Sequence, residues 1–519
     1  MKKPLLLHPL LFALFPVLFV YSQNTGFMTL SEIWPAALLL VGATVLLWLP
    51  LALILRDVTR AGAVLALILV LFFSYGPAYR LLWGGQLGDS VLNRPLLLIG
   101  AWGAIFAAGT ALILRNRRGW ADISRIANVV AFVLVAASLF NIGRQQLWPA
   151  TTAEGSSVLD YKIPAPQSLP ADILPDIYYI ILDGYARADV LQDLYGYDNS
   201  EFLGFLEERG FYVADRSQAN YAQTVLSVAS SLNVSYLDGE ASRVGPDSQD
   251  WKPLAHLVRD SAVLSFLKQQ GYSIVAFPTG FGLTDLRAAD IYLGSRRPWN
   301  DLELGLLLMT PIPWLALEDG KFPGYTRHAQ RILYVFDHLP ETTQLPSPRF
   351  VFAHIVAPHP PFVFDAEGIN IAPERVFGLE DGERFVEQGG TREEYVTGYV
   401  DQLTYINRRV ETVLDELLAR SPRPTVIVLQ SDHGPASPLD WKSLEDTDVR
   451  ERLSILNAYF LPGEGAVELY KEITPVNTFR LILNRYFGTD LKLLEDRSYF
   501  STCEHPYRFL DVTDELSAE

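Results

Sequence analysis

Three points in the chain combine residue type and position in a way that suits metal chemistry. The short apolar run Ile177–Leu182 reads as a buried strand, and it ends in Asp183. The run Phe350–Val356 reads the same way and leads to His359. The run Thr425–Gln430 leads to Asp432 and His433, with Gly434 next. Singly, each has an ordinary explanation. An Asp after a strand commonly caps a helix, and a lone His in a loop commonly sits at the surface. Together they bring carboxylate oxygens and an imidazole nitrogen to the ends of three strands. That donor set suits one divalent cation, zinc or manganese. The sequence offers no second set of Asp and His ligands.

Such residues need a frame that delivers them to one edge. Helical patterns cover Glu201–Arg209, Ser261–Gln270, Tyr325–Leu339, Thr391–Arg420 and Asn477–Phe487. Gly210 and Gly271 stop the first two. Thr391 and Glu394 form a capping box for the fourth, which Pro422–Pro424 ends. Asn477, after Pro475, is the expected N-cap of the last. Strands fill the gaps, including Tyr272–Phe277. This alternation predicts an α/β domain with a largely parallel sheet sandwiched by helices. In such sheets chemistry sits at the carboxyl ends of the strands. The patterns in Tyr499–Thr502 and Tyr507–Val512 allow a small C-terminal strand region.

The front of the chain is different. Among 519 residues the net charge is -17, but residues 1–150 hold 11 Lys/Arg against 4 Asp/Glu, and the remainder 31 against 55. The balance is therefore +7 in front and -24 behind. The acidic back half excludes a nucleic-acid partner, because phosphate backbones need Lys/Arg neutralisation. Five apolar segments approach the length of a membrane span: Leu5–Tyr21, Ile33–Leu55, Ala61–Tyr79, Pro95–Leu114 and Ile123–Phe140. The first carries Pro9 and Pro16, yet no small-x-small cleavage site follows it, which favours a span over a signal peptide. Five spans place the N-terminus, the Arg56–Arg60 loop and the Arg115–Arg125 loop on one side. Lys2, Lys3, Arg56, Arg60, Arg115, Arg117, Arg118 and Arg125 gather there, against Arg80 and Arg94 opposite. The positive-inside rule makes that side cytoplasmic. The expected layout is a transmembrane domain over 1–144, a Pro-rich linker over 145–175 and an extracytoplasmic domain over 176–519. The protein is thus expected to be a multi-pass protein of the cell membrane. Cys503, the lone cysteine, excludes an intrachain disulfide.

Asp183 within Ile-Ile-Leu-Asp-Gly-Tyr-Ala-Arg, the segment His354…His359-Pro360-Pro361, and Ser431-Asp432-His433-Gly434 resemble the alkaline phosphatase superfamily. The resemblance spans roughly Asp176 to Pro462. It points to the sulfatase-like, membrane-anchored branch, which includes lipoteichoic acid synthases and phosphoethanolamine transferases. That branch commonly joins five transmembrane helices to an extracytoplasmic catalytic domain. It implies a nucleophile in the stretch Asn220–Ser227, where Thr224 is the candidate and Ser227 and Ser230 are rivals. Thr224 would open a helix over Gln223–Leu232, where free N–H groups favour a phosphate. Otherwise its hydroxyl simply caps that helix.

The resemblance implies that Asp183, Thr224, Asp432 and His433 surround the metal, and that Thr224 forms a covalent phospho-threonine. His359 serves as acid or hydrogen-bond donor to the leaving group. Arg187 and His354 complete the set as candidate substrate contacts, with support of the site the other role open to His354. Trp441 and Lys442 are candidates to line the cleft. Two departures from the family stand out. There is no Cys/Ser-x-Pro-x-Arg signature, which argues against a formylglycine sulfatase. Asp183 stands where the lipoteichoic and phosphoethanolamine branch usually has Glu, which leaves the donor open. The expected function is a metal-dependent phosphotransferase that takes a membrane lipid or lipid-linked donor to an envelope glycan or lipid acceptor. The alternatives are a hydrolase of phosphate or sulfate esters on the same fold, and a catalytically inactive envelope-assembly scaffold.

Overall fold

The computed structural model describes residues 5–25, 28, 30–83, 93–115, 120–147, 161–165, 174–294, 301–315, 323–372, 377–387, 389–437, 439–463 and 469–517. They form two compact units. One comprises Met1–Thr151 with Arg297–Pro323 and Glu374–Val376, and the other the rest of the chain. Most of the Pro-rich stretch 145–175 lies outside the described residues.

The first unit contains helices α1 (His8–Gln23), α2 (Ile33–Leu55), α3 (Val58–Trp83), α4 (Asn93–Arg115) and α5 (Trp120–Leu147). Four stretches are long and apolar enough to cross a membrane: Leu30–Leu55, Val58–Leu82, Pro95–Arg115 and Ile123–Arg144. On α2, Leu38, Leu46 and Leu53 are more than 70% exposed, as lipid-facing side chains are. The first of the five expected spans is shorter. With 16 residues, α1 rises about 24 Å at 1.5 Å per residue, short of a hydrocarbon core of about 30 Å.

Helix α1 runs parallel to α5. Asn128 accepts from the backbone N–H groups of Leu7 (3.1 Å) and His8 (2.8 Å) at the start of α1. Asn141 donates to the Ser22 carbonyl (3.0 Å) at its end. A segment from far down the chain also belongs to this unit. Helix Asp301–Met309 buries Leu302, Leu306 and Met309 among Val17, Val20, Tyr21 and Phe73. Gly76 permits this, because a Cβ there would collide with the Leu308 carbonyl.

The second unit is built on a seven-stranded sheet. Its strands are β1 (Asp176–Leu182), β2 (Tyr212–Val213), β3 (Ser273–Ala276), β4 (Ile291–Tyr292), β5 (Arg349–Ile355), β6 (Thr425–Gln430) and β7 (Asn457–Phe460). Their order is β2-β7-β6-β1-β5-β3-β4. The run from β6 to β4 is parallel, and β7 and β2 add antiparallel pairs. Strands β1, β5 and β6 are buried along their full length, as parallel strands covered on both faces must be. On one face Tyr179, Phe350, Phe352 and Val428 pack against Val225, Val228 and Leu232 of helix Thr224–Leu232 and against Phe479 of helix Pro475–Phe487.

At the amino edge of the sheet Asp176 and Arg349 pin β1 to β5. Arg349 Nε and Nη2 donate to Asp176 Oδ2 at 3.0 and 2.8 Å, and both side chains are essentially inaccessible. The Thr391–Glu394 capping box forms as expected. The last helix differs from expectation. It begins at Pro475, a residue preorganised for the first helical position, with Thr474 as N-cap. Asn477 instead donates to the Leu494 carbonyl (2.8 Å) and Asp496 (3.0 Å). The C-terminal region pairs β8 (Tyr499–Phe500) with β9 (Leu510–Asp511) in antiparallel fashion.

Candidate functional site

Strands β6, β1 and β5 are neighbours, so their carboxyl ends lie side by side. Asp183 is the first residue past β1, and its backbone N–H donates to the Ile355 carbonyl (3.0 Å). Gly184 then turns the chain at φ +75°, in the left-handed region. Its N–H donates to Asp432 Oδ1 at 3.3 Å. Ser431 ties the two strand ends together. Its hydroxyl oxygen accepts from the Tyr185 N–H (2.8 Å) and lies 2.7 Å from the Leu182 carbonyl. Gly434 is required for close packing, because a Cβ there would collide with the Glu451 carbonyl.

Asp183, Asp432 and His433 are all buried, and one ligand atom from each lies within 4.8 Å of the others. They are the only such group among the described residues. His433 Nδ1 faces the Gly434 carbonyl at 2.9 Å. A carbonyl only accepts, so Nδ1 carries the proton and Nε2 presents its lone pair. Nε2 lies 3.2 Å from Asp432 Oδ2 and 3.5 Å from Asp183 Oδ1. Those two carboxylate oxygens are buried and have no hydrogen-bond partner. Buried carboxylate oxygens without partners are costly. Two of them, converging with an imidazole lone pair, fit a divalent cation.

Thr224 is the first residue of helix Thr224–Leu232, one past its N-cap, Gln223. Its hydroxyl therefore does not cap the helix. Instead Oγ1 lies 2.9 Å from His433 Nε2. Thr224 is half-buried, whereas Ser227 and Ser230 are fully buried, and the Ser230 hydroxyl donates to the Ser235 carbonyl. Among the three hydroxyls, Thr224 is the one open to solvent.

His354 and His359 occupy different places. His354 Nε2 lies 3.1 Å from Asp183 Oδ2, and Nδ1 lies 2.8 Å from Thr284 Oγ1. Because a carboxylate only accepts, Nε2 donates, which orients Asp183 and leaves its other oxygen to the cluster. His359 lies against the Asp183 turn, its N–H donating to the Asp183 carbonyl at 2.9 Å. Its ring centre is 6.1 Å from that of His433.

Arg187 is held elsewhere. Its guanidinium grips Asp189 through Nε (2.7 Å) and Nη2 (2.8 Å) and donates to the Ser217 carbonyl.

Two buried residues beside the cluster carry no local sequence signal. Asp381 lies 3.4 Å from His359 Nε2 and accepts from Arg452 Nη1 at 3.0 Å. Arg452 stacks its guanidinium over Trp441, 5.3 Å from the ring centre. In sequence, Arg452 sits in a charged Arg-Glu-Arg run that looks solvent-exposed. Lys442 pairs with Glu383 at the surface.

The electrostatics follow from this crowding. Burial opposes ionisation of Asp183, but the imidazoles of His359, His354 and His433 hold its carboxyl well below the usual range. Burial, then the Arg452 charge, lower His433, which favours the neutral imidazole, the form able to bind a metal. Burial opposes protonation of His359, yet Asp183 and Asp381 outweigh it and raise it. His328, on helix Pro323–His338, is pushed down to about 3 by burial, with Arg331 and His359 adding to the effect. Burial pushes the Cys503 thiol up to about 11, away from the thiolate form.

The sulfatase family model matches residues 175–479. No curated protein matches the chain. Among solved structures, the chain is similar to the integral membrane lipooligosaccharide phosphoethanolamine transferase A from Neisseria meningitidis. Identity is 12%, coverage is 94% of this chain and 97% of that one, and the TM-score is 0.41. It is also similar to the C-terminal periplasmic domain of EcEptC from Escherichia coli in complex with Zn, at 12% identity, 67% and 96% coverage, and a TM-score of 0.41. A putative sulfatase from Bacteroides thetaiotaomicron matches at 14% identity, 64% and 74% coverage, and a TM-score of 0.41.

Proposed function

Because the chain belongs to the sulfatase family, we propose that it is a membrane-bound, metal-dependent phosphotransferase that works through a covalent phospho-threonine on Thr224. The observation that carries this reading is the meeting of the Thr224 hydroxyl with His433 Nε2 beside the two unpartnered oxygens of Asp183 and Asp432. Asp183, Asp432, His433 and Thr224 would hold one divalent ion, zinc or manganese. Such an ion supplies Lewis acidity, favouring the ionised hydroxyl and offsetting phosphoryl charge.

The residues of the chain do the rest. The start of helix Thr224–Leu232 directs backbone N–H groups at a phosphoryl oxygen. Thr224 Oγ1, its proton released to solvent on ionisation, bonds to phosphorus as the bond from phosphorus to the leaving oxygen breaks. His359 gives its proton to that oxygen, so the donor departs as a neutral alcohol. An acceptor hydroxyl then attacks phosphorus as its proton passes to His359, and the Thr224 oxygen leaves as the P–O bond to it breaks. The donor is a membrane lipid or lipid-linked molecule and the acceptor an envelope glycan or lipid. Four apolar helices of spanning length support a membrane-embedded donor.

Five crossings, with the catalytic unit extracytoplasmic, fit the parallel packing of α1 on α5. An odd number of crossings makes the first and fifth helices run the same way. Arg187, bound to Asp189, is no longer the favoured anion contact, and His354 is assigned to support of Asp183.

The test uses full-length protein in detergent with a fluorescent phospholipid, a chromogenic phosphodiester and a sulfate ester. Phospholipid turnover, with a phosphorylated adduct on the Thr224 peptide in mass spectrometry, is expected. Turnover of the sulfate ester alone would overturn the reading in favour of a sulfate hydrolase. No turnover of any probe would favour the scaffold.

A further inference from the structure

We propose that Asp381 is a positioning residue for His359, an inference that rests on the phosphotransfer reading of the same site. Asp381 is 3% exposed. Its Oδ1 accepts from the Tyr395 hydroxyl (2.8 Å) and the Gly382 N–H (3.0 Å). Its Oδ2 accepts from Arg452 Nη1 (3.0 Å) and faces His359 Nε2 at 3.4 Å. The carboxylate is thus fixed by three donors, and its remaining approach points at one imidazole.

Arg452 links this carboxylate to the reacting groups. Its Nε donates to the Ala222 carbonyl (2.8 Å), two residues before Thr224. Its Nη1 also donates to the Gly434 carbonyl (3.0 Å), the same oxygen that His433 Nδ1 faces. One buried guanidinium therefore spans the Thr224 turn, the His433 anchor and the partner of His359.

The ring of His359 is held at both edges. Nδ1 lies 2.5 Å from the Pro360 carbonyl, which only accepts, so Nδ1 carries a proton. Nε2 faces a carboxylate, which favours a proton there as well. At 3.4 Å this second contact is longer than a committed hydrogen bond. The Nε2 proton is therefore held near Asp381 but free to be offered to a leaving oxygen. In that step the Nε2–H bond breaks and the O–H bond forms. The electron pair of the broken P–O bond stays on that oxygen, and Asp381 keeps its charge. An acid oriented by a carboxylate that does not itself react is a recurrent catalytic arrangement.

The experiment compares two phosphodiester probes on full-length protein. A fluorescent phospholipid releases an alkoxide that needs a proton, whereas bis(4-nitrophenyl) phosphate releases a stable phenolate. Asp381→Asn is expected to lower kcat on the phospholipid by roughly 30-fold, less than the roughly 10²–10⁴-fold of a general acid lost outright, with KM little changed. Loss on the nitrophenyl probe should stay under about threefold, because that leaving group needs no acid. His359→Gln should show the same selectivity, and the double variant should be no worse than His359→Gln alone. Asp381→Asn leaves Arg452 buried without its partner and can fail to fold. Tyr395→Phe loosens the same carboxylate without removing its charge, and should give a smaller loss confined to the phospholipid. Equal loss on both probes, or additive effects in the double variant, overturns the inference while the phosphotransfer reading stands. Silence of the unaltered protein on both probes overturns the two together.

Discussion

Thr224 Oγ1 lies 2.9 Å from His433 Nε2, although 209 positions separate them in the chain. The helix start that presents Thr224 leaves the hydroxyl uncapped, and the Gly434 carbonyl fixes the ring that receives it. Thr224→Ala should therefore remove the adduct and lower turnover by about 10³-fold or more, as loss of a nucleophile does. Its effect on stability should stay within about 1 kcal/mol, because the side chain is half-buried and makes no cap. Thr224→Ser should retain the adduct. Adduct mass and a urea titration together check this, and an adduct in the Ala variant would refute the assignment.

The unpartnered oxygens of Asp183 and Asp432 make a direct prediction about metal. The purified protein should contain close to one divalent ion per chain, and a chelator should lower its melting temperature. Asp432→Asn should lose the ion, and the chelator should then shift its melting temperature little. Elemental analysis with calorimetry reads both. Retention of the ion in Asp183→Asn and Asp432→Asn alike would count against the site.

His328 makes stability pH-dependent in a known direction. Folded, its pKa is pushed down to about 3, against an ordinary value of 6.5. Below 6.5 the unfolded chain takes up a proton that the folded chain refuses. Stability is therefore lost as pH falls from 6.5 towards 3, by up to a few kcal/mol at about 1.4 kcal/mol per pH unit. His328→Phe should flatten this slope in denaturant titrations between pH 7 and 4. An unchanged slope would mean that other groups dominate it.

The Asp176–Arg349 pair sits at the sheet edge opposite the cluster, so it should affect stability without touching chemistry. Asp176→Asn strips the buried guanidinium of its counter-charge and should cost about 3–5 kcal/mol. Turnover per folded molecule should be unchanged. A selective loss of turnover with normal stability would contradict this separation.

Parallel packing of α1 on α5 predicts an odd number of crossings. Reporter fusions at Lys3, ahead of α1, should behave as cytoplasmic and fusions at Glu519 as extracytoplasmic. The same outcome at both points would require an even count.

Much of this arrangement can be read directly from the linear sequence. Strand Thr425–Gln430 has the bounds its β-branched run implies, and the Thr391–Glu394 box sits where the S/T-x-x-E pattern puts it. Periodicity and capping are local physics, so a local reading recovers them. The same reading misplaces the last N-cap, because Asn477 and Thr474 both suit the role and Pro475 decides between them only in context. The first apolar segment, expected over Leu5–Tyr21, is helical over His8–Gln23, because Asn24 closes the helix.

The sequence alone determines that an apolar, basic front precedes an acidic α/β domain, and that Asp183, His359 and Asp432-His433 follow strands. Strand ends bear chemistry for a general reason: parallel strands share one carboxyl edge. Which residues meet there is decided only by the tertiary structure. The order β6-β1-β5 makes three distant strands neighbours. It turns His354 onto Asp183 and buries Asp381 and Arg452 beside His359. The docking of helix Asp301–Met309 among the front helices belongs to the same class. These contacts join residues up to hundreds of positions apart. Their energies come from burial and pairing, which composition and spacing do not encode.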